Sequence, residues 1–209
     1  MYIAISGNIG SGKTTLTQLL AKHYNWQPRY EAVEYNPYLE DYYGNIPRWS
    51  FNLEVYFLKE RFKDLLAISQ SPIPIVQDRS IFEGVHIFTA NNFESGALSE
   101  RDYKTYLDLF DQMISVVKLP DLMIYLRADV PYLISNIQLR GRDYEKQMKL
   151  DYLARLNEKY EDFITNKYPG RVLIIDKTQY DFTNPADMLK IYDKIDSVLG
   201  TSDTIQLTP

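Results

Sequence analysis

The chain contains no cysteine, only two histidines and no excess of positive charge. The absence of cysteine excludes disulfides, thiol catalysis and zinc sites built on thiolates. His23 and His86 are far apart in sequence, which argues against a histidine metal site or a Ser-His-Asp triad. We expect His23 to cap the first helix and His86 to lie on a helix face. With a net charge of −5 the chain has no basic field for nucleic acid, so no nucleic-acid partner is predicted.

Long apolar runs are also missing. No stretch reaches the roughly 20 residues that a membrane-spanning helix needs, so no membrane association is predicted. No basic segment or cleavage site precedes the first predicted strand, and we therefore expect a cytoplasmic location. The 209 residues suffice for an α/β domain with a substantial core. Because no repeat or low-complexity linker divides the chain, we predict one domain over residues 1–199 and a polar tail over residues 200–209.

A complete phosphate-binding motif, G-x-x-x-x-G-K-[ST], occupies residues 7–14 as GNIGSGKT. It follows an apolar run predicted as a strand, Tyr2–Ser6, and precedes a helical pattern, Thr15–Lys22. In this context the glycines let backbone N–H groups approach a phosphate at a helix N-terminus. Lys13 is expected to contact the β- and γ-phosphates of ATP, and Thr14 to bind Mg²⁺. The residues predicted to bind ATP are Gly7, Asn8, Ile9, Gly10, Ser11, Gly12, Lys13, Thr14 and Thr15.

Further apolar runs alternate with helical patterns, which is typical of an α/β fold with a doubly wound parallel sheet. Five strands are predicted, the other four being a weak one at Arg29–Ala32 and stronger ones from Ile73 to Val76, at Leu122–Leu126 and at Val172–Ile175. Later helices are predicted over residues 48–69, 103–118, 130–139, 149–166 and 185–199. Ligands of such sheets bind at the carboxyl ends of the strands.

Chemically useful residues follow the predicted strands. Glu31 lies at the end of the second strand, the triplet Asp78-Arg79-Ser80 follows the third, and Arg140-Gly141-Arg142 follows the helix after the fourth. With the segments EYNPYL (34–39) and RWSF (48–51), these motifs resemble the deoxyribonucleoside kinase family, especially its bacterial purine-type members, over residues 3 to about 196. The resemblance implies a P-loop kinase fold with a short lid at about residues 139–147. It also implies ATP-dependent phosphorylation of a deoxyribonucleoside 5′-hydroxyl in nucleoside salvage.

The resemblance implies roles for the residues at the strand ends. Glu31 matches the general base that accepts the proton of the attacking hydroxyl. Asp78 would help to hold Mg²⁺, and Arg79 would orient Glu31 and the 5′-hydroxyl. Arg140 and Arg142 match lid arginines that stabilise charge on the transferred phosphoryl group, as Lys13 does from the phosphate loop. After the last strand, the residues expected to contact ATP are Asp181 and Phe182.

The acceptor pocket is predicted from the same resemblance. Tyr43 and Glu145 match positions that hold the sugar 3′-hydroxyl and leave little room for a 2′-hydroxyl. Phe88 is placed to stack on the base, and Arg61 either donates to O6 or N7 of a purine or neutralises Glu54. Glu54 stands where the family commonly has glutamine. An ionised Glu54 only accepts hydrogen bonds and matches the two donors of guanine, whereas adenine would require a protonated Glu54; the base stays open between these purines.

Three other positions depart from the family pattern. Asn136 stands where an additional lid arginine is frequent, so this lid is expected to carry fewer charges. Gly84 replaces an acidic partner of Arg61, which is expected to widen the pocket, with Glu83 as the substitute partner. Asn36 replaces a pocket tryptophan.

Three alternatives remain open. A deoxynucleoside kinase of broader range would also accept deoxycytidine. A small nucleoside monophosphate kinase would share the loop and lid but would need more basic residues for the acceptor phosphate, whereas Glu31, Glu54 and Glu145 suit an uncharged nucleoside. A non-catalytic nucleotide-binding subunit would have lost residues that are present here. A homodimer is expected from the family. The apolar side of residues 103–118 is either its interface or a face buried in the core, and it is formed by Leu107, Phe110, Met113, Ile114 and Val117.

Overall fold

The computed structural model describes residues 1–31, 36–142 and 149–200. Its centre is a five-stranded parallel sheet in the order β2-β3-β1-β4-β5. The strands are β1 (Tyr2–Gly7), β2 (Gln27–Arg29), β3 (Ile75–Asp78), β4 (Leu122–Arg127) and β5 (Val172–Asp176). The predicted α/β fold with a five-stranded parallel sheet is therefore confirmed.

Helices cover both faces of the sheet. They are α1 (Lys13–Tyr24), α2 (Leu39–Gly44), α3 (Ile46–Ser69), α4 (Ile81–Glu83), α5 (Ala90–Glu94), α6 (Glu100–Ile114), α7 (Val130–Arg140), α8 (Leu150–Asp162) and α9 (Pro185–Gly200). A first π-helical segment, Gly84–Thr89, joins α4 to α5, and a second, Phe163–Lys167, extends α8. No helix within these described ranges has the length and apolarity to cross a membrane.

Two hydrophobic clusters lie on opposite faces of the sheet because successive strand residues point to opposite sides. Along β1, Tyr2 and Ala4 face the cluster shared with α3, α6 and α8. Ile3 and Ile5 face the cluster shared with α1 and α9. This arrangement buries the strands on both sides and leaves their carboxyl ends open for a site.

Several predicted boundaries were wrong. Strand β2 ends at Arg29, and Ala32 lies outside the described residues. Strand β3 begins at Ile75, whose N–H donates to Met1 O at 2.9 Å, while Ile73 is 49% exposed. The helix predicted over 103–118 is α6. It begins earlier because the Ser99 hydroxyl accepts a hydrogen bond from the backbone of Asp102, and it already ends at Ile114.

The remaining helix predictions differ less. Helices α1, α3, α7 and α9 lie within two residues of their predicted bounds. The helix predicted over 149–166 is α8 followed by the second π-helical segment. Helix α2 and the helical stretch from Ile81 to Glu94 were not delimited in advance, although His86 does lie on a helical segment there. His23 lies in the last turn of α1, where its ring stacks on Tyr192 at 3.6 Å.

Candidate active site

A cavity of about 440 Å³ lies where the carboxyl ends of β1 and β3 meet the segment after β2. Residues from distant parts of the sequence line it. The lining residues that were predicted as site residues are Ile9, Gly10, Lys13, Thr14, Glu31, Tyr43, Glu54, Arg61, Asp78, Arg79, Phe88, Arg140 and Arg142. The lining residues that sequence reasoning missed are Gln18, Tyr30, Leu39, Tyr42, Leu53, Phe57 and Tyr152.

The phosphate loop has the backbone that its glycines allow. Gly10 and Gly12 have φ angles of 85° and 93°, in the left-handed region. An added Cβ at Gly10 would lie 2.6 Å from Leu133 O on α7, so the loop is packed tightly against that helix. Asn8 turns its side chain toward α8, where it donates to Leu153 O at 3.0 Å and to Asn157 at 2.6 Å. The phosphate loop is therefore held by α7, which precedes the predicted lid, and by α8, which follows it.

Lys13 is buried at the start of α1. Its ammonium donates to Gly7 O at 2.8 Å and to Asn8 O at 3.0 Å. Burial, together with the charge of Arg79, lowers the pKa of Lys13 to about 8. The side chain is thus a desolvated cation that a phosphate group would stabilise.

Thr14 and Asp78 form a pair at the edge of the cavity. The Thr14 hydroxyl donates to Asp78 Oδ2 at 2.5 Å. Asp78 Oδ1 is buried without a hydrogen-bond partner among the described residues, and burial raises the pKa of Asp78. An unsatisfied carboxylate oxygen beside a hydroxyl is a donor set that suits Mg²⁺. No cluster of three or more acidic or histidine side chains that could hold a metal occurs in the described ranges, so phosphate oxygens and water would have to complete such a site.

Glu31 is held between two guanidinium groups. Its Oε1 accepts from Arg61 at 2.5 Å, and its Oε2 accepts from Arg79 Nε at 3.1 Å. Burial alone would raise the pKa of Glu31, but the charges of Arg79, Arg61 and Lys13 lower it to about 2. Glu31 is therefore an ionised carboxylate of fixed orientation inside the cavity.

Arg79 adopts a backbone conformation that is rare for a large side chain. Its φ angle is 70°, and such left-handed residues cost about 1–3 kcal/mol and concentrate at functional sites. Besides Glu31, its guanidinium donates to the Tyr160 hydroxyl at 2.9 Å and lies 4.7 Å from the centre of the Phe88 ring. These contacts direct Arg79 into the cavity.

Glu83 is a fully buried carboxylate that sequence reasoning assigned to a different partner. It accepts from the backbone N–H of Gly7 at 3.3 Å and of Ser80 at 2.6 Å, and from the Tyr160 hydroxyl at 2.8 Å. Its carboxylate also lies 3.6 Å from Arg79. The prediction that Glu83 would pair with Arg61 was therefore wrong. The sequence signal was the capping-box spacing Ser80-x-x-Glu83, of which the structure forms the hydrogen bond from the Ser80 N–H to the Glu83 carboxylate.

Glu54 lies on α3 with 4% of its surface exposed. Its Oε2 accepts from the Thr89 hydroxyl and its Oε1 from the Asn92 amide, both at 3.0 Å. Burial raises the pKa of Glu54 to about 7, against the lowering effect of the Arg61 charge. At neutral pH Glu54 is thus present in both its ionised and its neutral form. Recognition of guanine was predicted only for the ionised form, which accepts hydrogen bonds and donates none. Arg61 does not pair with Glu54, because its contact is with Glu31.

The space at Gly84 is filled. An added Cβ there would lie 2.8 Å from the Tyr106 hydroxyl and 3.1 Å from Arg61. The predicted widening of the pocket at this position was therefore wrong. The side chains of α6 and α3 take up the room that the missing acidic partner leaves.

Helix α7 carries the described part of the predicted lid. It ends at Arg140, and Gly141 follows with a φ angle of 67°. Asn136 donates to Gly10 O at 2.8 Å, so the residue that replaces a frequent arginine ties α7 to the phosphate loop. Arg140 and Arg142 line the cavity. The rest of the predicted lid, with Glu145, lies outside the described residues, as does the predicted tail from residue 201 onward.

Neither Asp181 nor Phe182 is a lining residue of the cavity, but Phe182 lies beside the phosphate loop. The Phe182 ring is 3.3 Å from the position of a Cβ at Gly12. Lys177, a residue missed in the sequence, lies 3.1 Å from the centre of that ring and donates to Tyr180 O at 2.8 Å. Asp181 is exposed and accepts hydrogen bonds from the backbone and hydroxyl of Thr183. These contacts fix the loop after β5 against the start of α1.

Comparisons with known proteins agree with this geometry. The family model described as deoxynucleoside kinase matches residues 3–199. The chain is 38% identical to a deoxyadenosine/deoxycytidine kinase of Bacillus subtilis, covering 94% of this chain and 92% of that protein. It is 34% identical to a deoxyguanosine kinase of the same organism, covering 91% and 93%. A solved structure of deoxyadenosine kinase from M. mycoides with bound dATP superposes with a TM-score of 0.83 at 32% identity, covering 94% of this chain and all of that chain.

The match to the family model spans nearly the whole chain, and the relatives share both its length and its fold. The prediction of a P-loop kinase that phosphorylates deoxynucleosides is confirmed. The chain belongs to the deoxynucleoside kinase family.

Proposed function

We propose that this protein transfers the γ-phosphoryl group of ATP to the 5′-hydroxyl of a purine deoxynucleoside, with Glu31 as the general base. The observation that carries the proposal is the position of Glu31. It lies in the same cavity as Lys13 and Thr14 of the phosphate loop, and it is oriented by Arg61 and Arg79. A carboxylate fixed beside a phosphate site suits an acceptor that carries a hydroxyl.

The residues divide the work of phosphoryl transfer. Lys13 binds the β- and γ-phosphates, and Arg140 and Arg142 neutralise charge on the transferred group. Glu31 is ionised at neutral pH because its pKa is about 2. It therefore orients the 5′-hydroxyl by accepting its hydrogen bond and takes its proton as the bond to phosphorus forms. Arg79 holds Glu31 in that orientation.

Thr14 and Asp78 are the residues that would hold Mg²⁺. The unsatisfied buried Oδ1 of Asp78 supports this assignment. Bound there, the ion would neutralise the phosphate oxygens of ATP. Asp181, Phe182 and the phosphate loop would hold the remainder of the nucleotide.

The acceptor side favours a nucleoside over a nucleoside monophosphate. The arginines nearest to Glu31, Arg61 and Arg79, are both engaged by that carboxylate. An acceptor phosphate would have to compete with Glu31 for them and would meet its negative charge. An uncharged nucleoside avoids this repulsion.

Phe88 and Tyr43 line the same cavity. We assign base stacking to Phe88 and contact with the sugar 3′-hydroxyl to Tyr43. The relatives named for deoxyadenosine, deoxycytidine and deoxyguanosine support a nucleoside acceptor of this kind.

The test is an acceptor assay with ATP and Mg²⁺, comparing deoxyadenosine and deoxyguanosine with their 5′-monophosphates. We expect ADP release with the nucleosides and at least 10²-fold slower release with the monophosphates. Faster turnover of the monophosphates would establish a nucleoside monophosphate kinase instead. No turnover of any acceptor would favour a non-catalytic nucleotide-binding subunit.

Three further properties were predicted from the sequence: a homodimer, a single domain and a cytoplasmic location. The homodimer remains a prediction, and within the chain the face suggested for it is only partly buried. Phe110 is buried in the core, and Leu107, Met113, Ile114 and Val117 pack against it. The single-domain extent over residues 1–199 and the cytoplasmic location also remain predictions.

A further inference from the structure

The Glu54 carboxyl group is buried without a cationic partner. Among the described residues, Glu54 forms no ion pair, and the arginine two turns further along α3, Arg61, is bound to Glu31 instead. A carboxylate removed from water and left unpaired favours its neutral form. Glu54 therefore differs from Glu31, which shares the cavity but is paired twice.

The hydrogen bonds around Glu54 allow a proton on one oxygen only. The Tyr42 hydroxyl donates to Asn92 Oδ1 at 3.0 Å, which turns the amide nitrogen of Asn92 toward Glu54 Oε1. Oε1 is thus an acceptor in either protonation state. Oε2 faces the Thr89 hydroxyl, which can donate or accept. Oε2 can therefore carry a proton, because the Thr89 hydroxyl can then accept a hydrogen bond instead of donating one.

Other titratable groups surround Glu54 but leave it free to change charge near neutral pH. The charged groups that act on it are Arg61, Glu31 and Arg79, and the phenols that face it from α2, α6 and α8 are Tyr42, Tyr106 and Tyr152. The pKa of each phenol is raised, so none of them ionises near neutral pH. His86, in the same π-helical segment as Thr89, stacks on Phe163 at 4.8 Å in the hydrophobic core. With burial as the main cause, the pKa of Glu54 is about 7.

Nucleobases differ in the pattern that they present to such a group. Adenine and cytosine present an amino donor beside a ring-nitrogen acceptor, whereas guanine presents two adjacent donors, N1–H and the 2-amino group. A neutral carboxyl group offers one donor and one acceptor, and an ionised one offers two acceptors. The two forms of Glu54 therefore match different bases.

We propose that Glu54 selects the nucleobase through its own protonation state. Neutral Glu54 donates from Oε2 to the ring nitrogen of adenine or cytosine and accepts from the amino group at Oε1. Ionised Glu54 accepts both donors of guanine. This inference rests on the proposed function, since it assigns the base preference of the same cavity.

The kinetic test measures kcat/KM for deoxyadenosine and deoxyguanosine with saturating ATP between pH 6 and pH 8.5. We expect the ratio of deoxyadenosine to deoxyguanosine to fall about tenfold per pH unit, because one substrate needs the proton and the other needs its absence. Titration of Lys13 affects both substrates equally and cancels in the ratio. A ratio that stays within twofold across this range would overturn the inference.

The variant Glu54→Gln is the matched control, because an amide reproduces the donor and acceptor of the neutral acid. We expect it to retain activity toward deoxyadenosine, to lose activity toward deoxyguanosine by about 10²-fold or more, and to show a ratio of the two kcat/KM values that does not depend on pH. Retention of the wild-type pH dependence in this variant would assign the effect to another group and overturn the inference.

Calorimetry separates this inference from the proposed function, since it needs no turnover. Nucleoside binding is measured at pH 7 in buffers of different ionisation enthalpy. We expect proton uptake with deoxyadenosine and proton release with deoxyguanosine. If both nucleosides caused proton uptake, both caused proton release, or neither changed the number of bound protons, the role of Glu54 would be contradicted. Absence of phosphorylation with the expected proton exchange would contradict only the proposed function.

Discussion

At the scale of single residues, the site depends on carboxyl groups with different surroundings. Glu31 is paired with Arg61 and Arg79, and its pKa is lowered to about 2. Glu54 lies in the same cavity without such a partner, and its pKa is raised to about 7. Separate environments thus give one carboxylate of constant charge and one carboxyl group that titrates near neutral pH.

The variant Glu31→Gln tests the general base. We expect kcat to fall by about 10² or more, because the amide cannot accept the hydroxyl proton, while the dissociation constant for the nucleoside changes little. Turnover and calorimetric binding are the measurements. Glu60→Gln, which alters a carboxylate outside the cavity on α3, should leave both values unchanged. Near-normal turnover of Glu31→Gln would remove Glu31 from the mechanism.

Lys13 predicts a second pH effect, which concerns ATP and not the base. Its pKa is about 8, so the free enzyme loses the ammonium charge as the pH rises above that value. We expect kcat/KM for ATP to decline above pH 8, with kcat less affected because bound phosphates stabilise the charged form. Steady-state rates between pH 7 and pH 9.5 measure this. A constant kcat/KM over that range would show that Lys13 keeps its charge in the free enzyme.

At the scale of elements, Glu83 connects three parts of the fold. It binds Gly7 at the end of β1, Ser80 at the start of α4, and Tyr160 on α8. Because Arg79 also donates to Tyr160, the base, the phosphate loop and the helix after the lid share one buried network. We expect the contributions of its members to the free energy of unfolding to depend on one another.

The variant Glu83→Ala should therefore destabilise the protein by about 3 kcal/mol or more, because it leaves the buried donors of Gly7, Ser80 and Tyr160 without their acceptor and removes a carboxylate 3.6 Å from Arg79. Urea unfolding at pH 7 is the measurement. Glu100→Ala is the matched control. It removes the partner of Lys104 in an ion pair whose two side chains are both 70% exposed, so a loss below about 1 kcal/mol is expected. Equal losses would show that the Glu83 network adds nothing beyond a surface ion pair.

Some elements of the fold could be predicted from the sequence and others could not. The motif at residues 7–14 and the triplet at residues 78–80 identified two strand ends because each motif is local. The surroundings of Glu54 were not foreseen, since Thr89 and Asn92 come from a segment whose helical course was not delimited. The apolar face of α6 was correctly found, but periodicity alone does not reveal whether a face meets the core or a second chain.

At the scale of the whole molecule, the sheet brings together residues that are far apart in the sequence. The sheet order places β1 between β3 and β4, so the phosphate loop lies beside Asp78 and Arg79. The alternation of apolar and helical segments made this architecture predictable. The positions of Glu145 and of the rest of the lid lie outside the described residues, so the sugar contact remains a prediction from the family resemblance.

The most direct test of the central claim identifies the product and the position of the phosphate. Deoxyadenosine and deoxyguanosine are incubated with ATP and Mg²⁺, and the products are assigned by phosphorus NMR. 2′,5′-Dideoxyadenosine, which lacks the accepting hydroxyl, serves as the control. The account predicts the 5′-monophosphates of both deoxynucleosides, ADP in equal amount, and no phosphorylated product from the control. Absence of a monophosphate from both deoxynucleosides, or phosphate on the 3′-hydroxyl, would contradict it.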